Sequence, residues 1–136
     1  MSLFTRLDHV GVAVPDLHEA IAFYTSVFGM RCAHVETNAE QGVREAMMEV
    51  GPQGGTIQLL APTGPDSPIA KFLDRSGPGV QQVAYEVPDI EAAAAELRRN
   101  GLRVLYETAR RGTGGSLVNF IHPKDAGGVL VELVQH

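Results

Sequence analysis

Four polar side chains with metal-binding donor atoms interrupt runs that are otherwise apolar. They are His9 in DHVGV, Gln58 in TIQLL, Gln82 in VQQVAYEV and Glu132 in VLVELV. They fall into two pairs because the chain repeats itself. The stretch DHVGVAVPDL, Asp8 to Leu17, is copied as QQVAYEVPDI, Gln81 to Ile90. Val10, Val14, Pro15 and Asp16 recur as Val83, Val87, Pro88 and Asp89, and Leu17 recurs conservatively as Ile90. His9 and Gln82 hold equivalent places in the repeat, as do Gln58 and Glu132. Two symmetry-related pairs of donors are what a metal site on a pseudo-twofold axis requires. One imidazole nitrogen and three oxygen donors suit a borderline or hard divalent ion: Co, Mn, Ni, Fe(II), Zn or Mg. Only one ligand is formally negative, so the ion keeps net positive charge and acts as a Lewis acid. Taken singly, a strand His is more often hydrogen-bonded core, and a lone Gln or Glu more often solvated. The match of all four positions is what favours the site.

Glu45, in VREAMMEV, breaks the symmetry, because its repeat position falls near Leu117 or Val118. A carboxylate present in one half only is a candidate for proton abstraction, for which a partly apolar cavity tunes its basicity. The plainer possibility is that it pairs with Arg44 or faces water. Arg110, Arg111 and Lys124 lie in loops flanking the last strands and Lys71 on a connecting helix, where such cations are usually only solvated. Gly112 to Gly115 would let a ligand approach backbone amides. His122 either lines the cleft or caps the turn at Pro123, whereas His18, His34 and His136 read as surface residues.

These residues need strands to place them, and the pattern predicts eight. Leu7 to Val14 alternates as a strand, and Pro15-Asp16 stops it and caps a helix over Asp16 to Phe28, with Gly29 closing that helix. Strands are predicted at Met30 to Glu36, Val43 to Val50 and Thr56 to Leu60, with a polar bend at Thr37 to Gly42 and a turn at Gly51 to Gly55. Ala61 to Pro68 reads as a linker, and Ser67 to Asp74 as a short helix. The second half repeats the plan: strand Val80 to Val87, helix Asp89 to Asn100, strand Arg103 to Glu107, a basic Gly-rich loop over Arg110 to Gly115, strand Leu117 to His122, a turn, and strand Val129 to Val134. Gly54-Gly55 is echoed by Gly127-Gly128. The expected fold is therefore α+β: one domain of two βαβββ modules, about 5–61 and 80–136, joined by a linker and short helix over 62–79. The modules are expected to form a half-open eight-stranded barrel around a metal-binding cleft. A ferredoxin-like sandwich is the runner-up, and the strand count opposes it.

The bulk composition is that of an ordinary globular domain. Of 136 residues, 44% are hydrophobic and 20% charged, which excludes disorder as the main state. A formal net charge of −5 gives no footprint for nucleic acid. The one cysteine, Cys32, favours a reducing compartment. No signal peptide or membrane-length apolar run is evident, so a cytoplasmic protein is expected.

At these residues the chain resembles the vicinal oxygen chelate superfamily of glyoxalases and bleomycin-resistance proteins, and within it the methylmalonyl-CoA epimerase family. The matching stretches are LDHVGVAVPDL, EQGVREAMMEVG, TIQLLAP, DSPIAKFL, GPGVQQVAYEVPDI, RVLYE and FIHPKDAGGVLVELVQ, in order along nearly the whole chain. The resemblance implies that His9, Gln58 and Glu132 are metal ligands. The family's second ligand histidine falls on Gln82, where the family's pair of histidines is replaced by Gln81-Gln82. The resemblance also implies catalytic carboxylates at Glu45 and Glu132, methylmalonyl-CoA as substrate with its phosphates near the cations above, and a homodimer. Two rivals remain. One is another metal enzyme of the superfamily, such as a glyoxalase I-like isomerase. The other is a metal-free, ligand-sequestering protein of the bleomycin-resistance type, which would not need donors at all four positions.

Overall fold

A computed structural model describes Ser2 to His136. Contacts divide the chain into two compact units, one of residues 9–81 and the other of residues 1–8 with 82–136.

The first unit carries most of strand β1 (Arg6–Ala13), helix α1 (Leu17–Ser26), strands β2 (Arg31–Asn38), β3 (Val43–Glu49) and β4 (Thr56–Pro62), and helix α2 (Pro68–Ser76). Asp16 caps α1 as predicted, accepting from the Glu19 N–H. Within the unit, β4 pairs antiparallel with β3 and parallel with β1, and β3 pairs antiparallel with β2. One face of this half-sheet packs on α1. Its core is Val14, Leu17, Ala46, Met48, Leu59 and Ala61. On the other face, Ile69 of α2 packs with Ala13, Val43 and Leu60. Ala61 and Pro62, expected in the linker, still belong to β4.

The second unit contains most of β5 (Gly79–Glu86), helix α3 (Ile90–Arg99), β6 (Arg110–Arg111), β7 (Leu117–Ile121) and β8 (Val131–Gln135). Asp89 caps α3 through the Ala92 N–H. β8 pairs parallel with β5 and antiparallel with β7, which pairs with β6. The register repeats that of the first unit. Gly11 faces Gln58 as Ala84 faces Glu132, and Met47 faces Gln58 as Phe120 faces Glu132. Leu59 and Leu133 are equivalent and both fully buried. Truncating either to Ala is expected to cost about 2–5 kcal/mol. Gly54-Gly55 and Gly127-Gly128 all take positive φ, so the echoed glycines serve the same kind of turn.

The α+β plan and its two βαβββ repeats are as expected, with one correction. Residues 103–107 are not a strand; they make a single bridge, Val104 to Ile121, and the sixth strand is Arg110–Arg111. The reason lies in side chains that occupy the backbone groups a ladder would use. Asn119 accepts from the Tyr106 N–H and donates to the Tyr106 carbonyl, at 3.0 and 2.9 Å. Arg98 donates to the carbonyls of Val104 and Tyr106. No helix among the described residues is long and apolar enough to cross a membrane.

Candidate active site

In the first unit, three predicted residues lie on the face turned away from α1. Strand period places Val43, Glu45 and Met47 on that side of β3, because Ala46 and Met48 point into the α1 core. Pairing of Met47 with Gln58 and of Gly11 with Gln58 carries the same face across β4 to β1, where His9 lies two residues from Gly11. The Gln58 Nε2 donates to Glu45 Oε2 at 2.9 Å. Glu45 is therefore neither solvated nor an ion-pair partner displayed at the surface: it is 3% exposed, while Arg44 points outward.

In the second unit, Gln82 and Glu132 share the face opposite α3, because Ala84 pairs with Glu132. The Gln82 Nε2 donates to Glu132 Oε1 at 2.7 Å. Ala84, Val118 and Val134, with Phe120 at their edge, form an apolar floor around this pair. Register settles which residue is equivalent to Glu45. Glu45 pairs with Leu60 as Val118 pairs with Val134, so the acid of one half is a buried valine in the other.

All five residues are at most 6% exposed. Burial of five polar side chains on strands is expensive unless each has a partner or a ligand. Of these, His9 and Gln58 in the first unit offer an imidazole and an amide, and Gln82 and Glu132 in the second offer an amide and a carboxylate. Each amide nitrogen engages a carboxylate, which turns the amide oxygen, the atom able to bind a cation, away from that carboxylate. Imidazole nitrogen, amide oxygen and carboxylate oxygen are donor types that borderline or hard divalent ions take.

The proposed cations are all exposed. Lys71 lies on α2, Arg110 and Arg111 form β6, and Lys124 sits in a 3₁₀ turn over Pro123–Asp125. His122 caps that turn, its Nδ1 accepting from the Lys124 N–H at 3.1 Å. His18, His34 and His136 are exposed, as expected. His136 nevertheless joins a group that sequence reasoning missed. Its Nε2 lies 2.6 Å from Asp8 Oδ1 and 4.0 Å from Glu86 Oε2, so Asp8, Glu86 and His136 could together hold a metal ion. Arg6 and Thr5 already hydrogen-bond the two carboxylates. No periodicity signals a contact between residues so far apart in sequence.

Residues 8–120 match the glyoxalase/bleomycin resistance protein/dioxygenase superfamily. The chain is 42% identical over 131 residues to the mitochondrial methylmalonyl-CoA epimerase of Homo sapiens, covering 96% of this chain and 73% of that one. The crystal structure of methylmalonyl-CoA epimerase from Mycobacterium tuberculosis superposes with a TM-score of 0.96 at 56% identity, over 99% of this chain and 90% of that one. The chain belongs to that superfamily, within its methylmalonyl-CoA epimerase family. A variant of the Streptomyces coelicolor methylmalonyl-CoA epimerase, in complex with 2-nitronate-propionyl-CoA, matches with a TM-score of 0.93 at 44% identity, over 97% of both chains.

Proposed function

We propose that this chain is an isomerase that interconverts the two C2 epimers of methylmalonyl-CoA. The observation that carries this is Glu45: a buried carboxylate on an otherwise apolar strand face, hydrogen-bonded to Gln58 and without a counterpart in the other half of the repeat.

The C2 proton of the substrate lies between a thioester and a carboxylate, so its removal leaves a delocalised anion. Glu45 would take the proton from one face of C2. Glu132, or a water held near it, would return a proton to the other face, inverting the centre. Gln58 fixes the orientation of the Glu45 carboxylate through its amide N–H, so that no side-chain reorganisation is needed as the proton moves. The buried positions of Glu45 and Glu132 limit competition from bulk water for the exchanged proton. His9, Gln58, Gln82 and Glu132 would hold a divalent ion. When bound, that ion supplies Lewis-acid stabilisation of negative charge on the substrate oxygens. Gln82 in place of a histidine makes the set more oxygen-rich, which favours harder ions. The 2-nitronate group of the ligand bound by the Streptomyces relative is planar at its carbon and carries its negative charge on oxygen, as an enolate does, and this supports a proton-transfer chemistry.

We further infer a homodimer acting in the cytoplasm, which the solitary partly buried thiol Cys32 favours over an oxidising compartment. The test of function is proton NMR of methylmalonyl-CoA in deuterated water. Loss of the C2 proton signal with enzyme, abolished by EDTA and restored by added Co, is the expected result. Absence of exchange with every divalent metal tried would remove the epimerase assignment. A ligand-sequestering protein would bind the thioester without exchanging that proton.

A further inference from the structure

Sequence offers Arg110 and Arg111 as equal candidates for contact with the ligand's anionic groups; the register separates them. Arg110 pairs with Val118, Val118 pairs with Val134, and Phe120 pairs with Glu132. Paired residues in a sheet project to the same side, so Arg110 lies on the face that carries Gln82, Glu132 and the apolar floor. Arg111 pairs with Leu117 and Leu117 with Gln135, on the opposite face. The distance from β6 to β8 is two strand spacings, roughly 10 Å.

Arg110 is also held in place. Its guanidinium carbon stands 3.9 Å from the centroid of the Tyr106 ring. Tyr106 in turn meets Phe120 edge-on, with centroids 5.8 Å apart. The Tyr106 backbone is fixed by Asn119, a fully buried side chain that engages both its N–H and its carbonyl. Below Arg110, the turn after β6 packs closely against β7. A Cβ on Gly112 would meet Val118 Cγ1 at 2.5 Å, and Gly114 and Gly115 take positive φ. A guanidinium stacked on a ring uses its π face, and its N–H donors remain in its plane, suited to bidentate recognition of phosphate oxygens.

We propose that Arg110 is the arginine that binds a phosphate of the CoA portion, and that Tyr106, clamped by Asn119, is its positioning residue. This rests on the thioester ligand assigned above. It goes beyond that assignment by naming which basic side chain reads the nucleotide end, and what orients it.

The experiment compares the wild type with Arg110→Ala, Arg111→Ala, Tyr106→Ala and Tyr106→Phe, on methylmalonyl-CoA and on methylmalonyl-pantetheine, which keeps the reacting group and lacks the nucleotide phosphates. Calorimetric binding of CoA itself is measured alongside. Arg110→Ala is expected to raise KM for the CoA thioester roughly tenfold or more with kcat little changed, as the loss of a charge-assisted contact does. Tyr106→Ala should raise it about threefold to tenfold, and Tyr106→Phe, which keeps the ring, should stay within about twofold. Arg111→Ala should stay within about twofold on both substrates, and no variant should change KM for the truncated thioester. Equal losses on both thioesters, or an Arg111→Ala loss as large as that of Arg110→Ala, would overturn the proposal. If the wild type fails to turn over either thioester, the epimerase assignment fails, and the CoA calorimetry still decides the Arg110 claim. Weaker CoA binding in Arg110→Ala but not Arg111→Ala supports it, and equal binding in both overturns it.

Discussion

The two halves of the repeat share a backbone plan and differ in chemistry. Each buries a glutamine whose amide donates to a carboxylate, but the pair is displaced by one strand. In the first half the amide is on β4 and the acid on β3; in the second the amide is on β5 and the acid on β8. Positions equivalent by register read His9, Gln58 and Glu45 in one half, and Gln82, Glu132 and Val118 in the other. Duplication preserves which face of the sheet a residue occupies, because a one-residue slip would turn the whole apolar set outward. It does not preserve what that residue is. On the assignment proposed above, one acid, Glu132, belongs to the ligand set and the other, Glu45, does not.

The largest effect expected from breaking this asymmetry is at Glu45. Glu45→Gln keeps size and hydrogen-bonding capacity and removes the base. Exchange of the C2 proton should fall about 100-fold to 10,000-fold with the circular dichroism spectrum unchanged. Exchange at the wild-type rate would reassign the base. The second comparison concerns the departure at the family's ligand position. Gln82→His should tighten binding of Co or Zn by roughly tenfold, about 1.4 kcal/mol, in a competition titration against a chromophoric chelator. An unchanged affinity would place Gln82 outside the ligand set.

Gln58→Leu and Gln82→Leu probe the two amide-to-acid pairs directly. Each removes one donor from a buried carboxylate and should cost about 1–3 kcal/mol in denaturant unfolding. If the first-half pair exists to orient a base, Gln58→Leu should also slow exchange, whereas the stability costs should be alike.

The smallest effects concern the surface, where bidentate arginine–carboxylate pairs occur in both halves. The Arg31 guanidinium holds the Glu49 carboxyl below its usual range through hydrogen bonds of 2.9 and 2.6 Å. Arg103 likewise holds the Asp125 carboxyl well below its usual range, with side-chain and backbone N–H groups both donating. A depressed carboxylate contributes stability above its unfolded value, 4.5 for Glu49 and 3.8 for Asp125, and loses it only as pH falls through the lower folded value. Midpoints of Asp125→Asn and wild type should therefore differ by a constant amount from neutral pH down to the ordinary carboxylate range, and converge below it. Glu49→Gln should converge with wild type in the same way as pH falls below the ordinary carboxylate range. Solvent exposure keeps both effects small.

Much of this was legible in the chain before any coordinates. Asp16 and Asp89 announce their helices because a side-chain acceptor before an apolar periodic run satisfies the first N–H groups. The paired stretches announce two modules, and alternation around His9, Gln58 and Glu132 places each on a strand. The miss at 103–107 has an equally local cause. RVLYE has the alternation of a strand, but whether it pairs depends on Asn119 and Arg98, whose side chains reach its backbone from elsewhere in the fold. His122 was open between two roles until its Nδ1 was seen to cap the turn.

Sequence by itself determined the periodicities, the duplication and the polar residues embedded in apolar strands, because these follow from local spacing and from the cost of placing such residues there. Tertiary structure alone decided that Glu45 is buried against Gln58, that its counterpart is Val118, and that Arg110 and Arg111 belong to opposite faces. Each of these depends on strand register, and register is set by which strands meet and by how the turns between them close. No window of neighbouring residues contains that information.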